Sequence, residues 1–67
     1  MMMEKVLHYV ESHPHCTRRE MIDFFKLENP QRKNTPANVN HCVIKLKKQG
    51  YVKETYDSQT GIGYLEA

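Results

Sequence analysis

Residues 32–53 hold Arg32, Lys33, Lys45, Lys47, Lys48 and Lys53 and no aspartate or glutamate. Six cations without an acid among them suit an anionic partner, although a solvated lysine face has the same composition. Asn38, Asn40 and His41 lie in the same block. An Asn amide carries a donor and an acceptor side by side, the complement of adenine N7 and N6 in the DNA major groove. A histidine ring can donate to a base acceptor or a phosphate oxygen. Lysine and arginine neutralise phosphates, which positions a protein on a duplex without reading its sequence. Asn38, Asn40 and His41 are therefore candidate base readers. Arg32, Lys33, Asn34, Thr35, Lys45 and Lys48 are candidate phosphate contacts. Arg18 and Arg19 join them, because they open a helix, where a cation opposes the dipole unless an anion compensates it. The plainer alternatives are a cap or solvated role for each Asn and solvation for each cation.

Other chemistries find less support. His13, His15, Cys16, His41 and Cys42 include zinc-ligand types, but their spacing matches no finger or ribbon. Gly61-Ile62-Gly63 lacks the third glycine and following helix of a nucleotide fingerprint. No Ser or Cys sits in a nucleophile motif. Neither an enzyme, a metal nor another cofactor is expected.

Three helices and a hairpin must position these groups. Met3, Val6, Leu7 and Val10 recur at helical spacing, and Pro14 ends that run, predicting a helix over 2–12. Thr17-Arg18-Arg19-Glu20 reads as a capping box before Met21, Ile22, Phe24 and Phe25, predicting a helix over 18–27. Thr35-Pro36 reads as cap and first turn of a third helix over 36–49, with Gly50 as its left-handed stop. Val39, Cys42, Val43 and Leu46 form its apolar stripe. Asn38, His41 and Lys45 fall opposite, flanked by Ala37 and Asn40. Residues 51–56 and 62–66 are β-prone runs around the turn cluster 57–61, hence a hairpin. His15-Cys16-Thr17 can add a short strand at its edge. The expected core is Val6, Leu7, Val10, Met21, Ile22, Phe25, Val39, Val43 and Leu46.

This order of elements resembles the winged helix-turn-helix superfamily, common in small bacterial and phage DNA-binding regulators. The run Thr35-Pro36-Ala37-Asn38-Val39-Asn40-His41-Cys42-Val43-Ile44-Lys45-Leu46-Lys47-Lys48-Gln49-Gly50-Tyr51-Val52 looks like that family's recognition helix entering its first wing strand. Residues 17–25 resemble the preceding helix of the motif. The resemblance spans nearly the whole chain. It implies a mainly α fold with a small β wing, a third helix placed in the major groove, and sequence-specific double-stranded DNA binding by a small transcriptional regulator. Two departures stand out. The turn between helices two and three is lengthened to residues 27–34. The wing tip Ser58-Gln59-Thr60 carries no cation and has Asp57 beside it, so the wing is expected to contribute little.

Length and composition agree with one small domain over residues 1–67, which carries 39% hydrophobic and 27% charged side chains and a net charge of +2. No apolar run is long enough for a signal peptide or membrane span, so a cytoplasmic protein without a membrane partner is expected. The two cysteines are expected to be reduced thiols. No ligand domain is evident, so no small-molecule ligand is expected. A homodimer on DNA, joined through helix one or the hairpin edge, is the expected assembly. The competing functions are a winged-helix protein–protein interaction module and a replication or recombination accessory.

Overall fold

The computed structural model describes residues 2–67. Its first helix, α1 (Met2–Ser12), buries Val6 and Val10 completely and packs Leu7 and Tyr9 partly against the core. The helix gives way before Pro14, and the chain reverses through His15 in the left-handed region at φ 68°. The His15 amide then donates to the Leu65 carbonyl at 2.9 Å, which opens the short strand β1 (Cys16–Thr17).

The second helix, α2 (Arg18–Glu28), starts where expected. The Thr17 hydroxyl accepts from the Glu20 amide at 3.1 Å, the hydroxyl half of the capping box. Met21 and Phe25 are buried and Ile22 partly so. Phe24, expected on the same apolar face, remains 42% exposed. It packs on the Tyr9 ring at 5.0 Å and edge-on against Phe25 at 5.3 Å, over the outside of the α1–α2 seam.

Helix α3 (Thr35–Lys48) begins one residue earlier than the sequence suggests. Asn34 is the cap residue and makes no side-chain cap bond. Thr35, expected to be the cap, is instead the first helical residue. The residue is 1% exposed, and its hydroxyl donates back to the Arg32 carbonyl at 3.4 Å. A buried hydroxyl needs a partner, and the preceding loop supplies one inside the fold. At the other end the Gly50 amide donates to Lys47 O at 3.1 Å and the Tyr51 amide to Leu46 O at 3.0 Å. This is the paired closure of a Schellman motif, and Gly50 supplies its left-handed residue at φ 82°.

Strands β2 (Lys53–Tyr56) and β3 (Gly63–Glu66) complete a three-stranded antiparallel sheet in the order β1-β3-β2. Glu54 lies opposite Leu65, Tyr56 opposite Gly63, and Cys16 opposite Leu65 from the other side. Asp57 builds the connecting turn. Its Oδ1 accepts from the amides of Gln59 at 2.8 Å and Thr60 at 3.1 Å, and these bonds hold its carboxyl below the usual range.

The fold is thus mainly helical, three helices with a small sheet. One core holds Val6, Val10, Cys16, Met21, Phe25, Val39, Cys42, Val43, Leu46, Val52 and Leu65. Leu7 and Ile22, expected inside, line its margin. Val52 and Leu65 tie the sheet to the helices. Both cysteines are free thiols in the core, and burial raises their pKa. Among the described residues no helix is long and apolar enough to cross a membrane.

Candidate nucleic-acid interface

The spacing that buries Val39, Cys42, Val43 and Leu46 turns Ala37, Asn38, His41, Ile44, Lys45 and Lys48 to solvent. No acid lies on α3. Asn38 and His41 occupy its first half and Lys45 and Lys48 its last turns, where the helix dipole favours cations. Ile44, 47% exposed, stands within this polar face. Its position three residues after His41 and four before Lys48 is legible as helical spacing, but an exposed isoleucine carries no chemical signal by itself. In a major groove such a side chain suits a thymine methyl.

The loop before α3 exposes Arg32, Lys33 and Asn34. Arg32 leans towards α1, its Nη1 donating to the Met2 sulfur at 3.0 Å. Thr35 is enclosed as a whole residue, so the phosphate contact expected of it is not available from the outside. Arg19 is exposed at the start of α2.

Arg18 turns the other way. Its Nε and Nη2 donate to the two Glu54 carboxylate oxygens at 2.8 and 2.7 Å, and Nη1 donates to Asn40 Oδ1 at 3.2 Å. Glu54 also accepts from Lys47 Nζ at 3.0 Å and from the Tyr56 hydroxyl at 2.9 Å. Its side chain is 2% exposed. The Arg18 guanidinium foremost, with Lys47 and Tyr56, outweighs the cost of burial and brings the Glu54 carboxyl down to about 2. The compensating anion expected for Arg18 is therefore internal. Lys47 belongs to this cluster and Lys45 does not. No protein-family model, curated protein or solved structure matches the chain.

Glu54, Lys47 and Tyr56 are absent from the candidates that the sequence yields, and the pairing of Arg18 with Glu54 and Asn40 is not foreseen there. One signal does exist: alternation puts residues 52, 54 and 56 on one face of a strand, and Val52 is an obvious core residue. On the same face of the neighbouring strand, paired with Tyr56, stands Gly63, where a Cβ would lie 2.9 Å from Glu54 Oε2 and 3.0 Å from Tyr56 Cε1. Glycine there leaves the room that the carboxylate occupies.

The histidines near α1 are engaged by aromatic rings. His13 stacks on Tyr9 at 4.1 Å and His15 on Tyr64 at 4.2 Å. Among the described residues no group of three or more His, Cys, Asp or Glu side chains could hold a metal ion. A groove between α1 and α2, lined by His8, Tyr9, His13 and Phe24 among others, is open to solvent.

Proposed function

We infer that this chain is a winged helix-turn-helix module that binds double-stranded DNA sequence-specifically, as a small transcriptional regulator. Helix α3 enters the major groove, a groove wide enough to admit one α-helix. Asn38 and His41 meet base edges, with Ile44 beside them. Lys45, Lys48, Lys33 and Arg19 meet phosphates, and Asn34 offers a further donor to the backbone. Arg18 acts inside the protein rather than on phosphate. The observation that carries this reading is the solvent face of α3. It presents two amide or imidazole groups and two lysines without an acid. The nearest acid along the chain after it, Glu54, is neutralised by Arg18 and Lys47. A solitary solvated lysine face does not require paired amide and imidazole groups on its leading half. Two copies on two half-sites complete the reading.

Anisotropy titrations on random and selected duplexes at several salt concentrations test it. Counterion release makes log K fall linearly with log salt, with a slope of about −0.9 per phosphate neutralised on B-DNA. Four such contacts give a slope of about −4. A slope near zero, or equal affinity for every duplex, rejects sequence-specific DNA binding and favours a protein-interaction module.

A further inference from the structure

Asn40 lies half-buried on the flank of the exposed face of α3. Arginine has five N–H donors and no acceptor. The Asn40 atom facing Arg18 Nη1 at 3.2 Å is therefore its carbonyl oxygen, since an amide nitrogen there would set donor against donor. Arg18 is itself clamped: two of its nitrogens sit on Glu54, which Lys47 and Tyr56 hold in turn. No buried side-chain nitrogen or oxygen among the described residues lacks a partner. Asn40 Nδ2, which donates to no group of the described residues, is thus not fully buried and is the amide atom left open to solvent. A two-bond grip on adenine needs the oxygen to turn outward to N6–H, and that motion strips Arg18 Nη1 of its acceptor.

On the DNA-binding reading above, the geometry points to Asn40 as a donor-only reader. Its Nδ2–H meets a base that offers an acceptor, guanine O6 or N7, adenine N7 or thymine O4, and rejects cytosine, which presents only its N4 amino donor; Arg18 is the positioning residue that fixes this polarity. The bidentate adenine contact expected from residue type alone is replaced by a single donated bond. The Arg18–Glu54 pair thereby links strand β2 to the base preference of α3.

Selection of bound sequences from a random duplex pool tests this, with circular dichroism and thermal melts confirming that each variant folds. The wild-type protein should show one position from which cytosine is excluded and at which adenine is not preferred over guanine. Asn40→Ala should erase that restriction and weaken the selected duplex about tenfold, leaving random duplex unchanged. Asn40→Asp keeps an oxygen on Arg18 and turns an acceptor outward. Its preference should move to the bases with an amino donor, cytosine or adenine. Arg18→Met frees the amide to make both adenine bonds and should raise adenine above the other bases at the same position, whereas a merely structural arginine would lower affinity without moving preference. A folded Asn40→Ala that selects the wild-type motif overturns the inference and leaves the DNA reading standing. Equal losses on selected and random duplex assign Nδ2 to phosphate and overturn it as well. A wild-type protein that enriches nothing overturns both readings together.

Discussion

Asn38 and Lys45 stand on the same exposed face, seven residues apart, and should fail differently when truncated. Base edges carry sequence information and phosphates do not. Asn38→Ala should cost about 1–3 kcal/mol at the preferred duplex and relax one or two base pairs. Lys45→Ala should weaken preferred and random duplex alike and reduce the salt slope by about one. Titrations of both duplexes at several salt concentrations separate these outcomes; identical behaviour of the two variants would count against α3 as the reading element. Residue type and helical spacing alone make Asn38, His41 and Lys45 legible as a solvent-facing stripe. They do not reveal where Asn40 and Arg18 point. Arg18 and Glu54 are separated by 36 positions in sequence, and no periodicity reports a pairing across that distance. Thr35 departs from expectation for a related reason. A threonine before proline has the chemistry of a cap, but the hydroxyl finds the Arg32 carbonyl when the loop folds inward.

Strand β2 is fastened to both α2 and α3 through Glu54, and this attachment has a pH signature. The folded state holds the Glu54 carboxyl at about 2 against an ordinary 4.5, chiefly through Arg18. As pH falls, the unfolded chain takes up this proton first. The stabilisation is therefore complete well above pH 4.5 and is lost as pH falls through 2, on the order of 3 kcal/mol in all. Glu54→Gln should lower stability at pH 7 because it leaves Arg18 and Lys47 without their counter-ion. The gap between wild type and Glu54→Gln in urea unfolding should narrow steadily from about pH 5 to about pH 2.5; a constant gap would deny the ion cluster its role. Gly63→Ala probes the same junction by volume. The added methyl would meet the pinned Glu54 carboxylate and the Tyr56 ring at about van der Waals overlap, and should destabilise by about 1–3 kcal/mol. Urea midpoints unchanged from wild type would mean that the cluster yields freely. At this scale most boundaries are readable, because capping chemistry, Pro14, Pro36 and Gly50 mark helix ends locally. The sheet is less so: residues 51 and 52 lead into β2 without joining it, since Val52 is drawn into the core and Tyr51 closes the Schellman turn.

The described chain measures 35 × 25 × 20 Å along its principal axes. A domain this small has little stability in reserve, so removing one central side chain should be felt throughout. Leu46, 3% exposed on the buried side of α3, is such a residue. Leu46→Ala should cost about 2–5 kcal/mol, a large share of the total for a chain of this length. A melt superimposable on wild type would show that α3 does not key the core as described. The same dimensions bear on assembly. One small module buries about 600–1,000 Å² against a duplex, and two half-sites one helical turn apart place recognition helices about 34–36 Å from each other. The 35 Å long axis matches that separation, so two copies with their long axes along the DNA can touch between the half-sites. Sedimentation should give two chains per duplex on a palindrome with one-turn spacing, and binding should become non-cooperative when about five base pairs are inserted between half-sites. Half a turn rotates the second site to the opposite face of the duplex and breaks the contact. A strict one-to-one complex on the palindrome, at protein in excess, would make the monomer the binding unit and leave the four candidate phosphate contacts of one copy to account for the whole salt dependence.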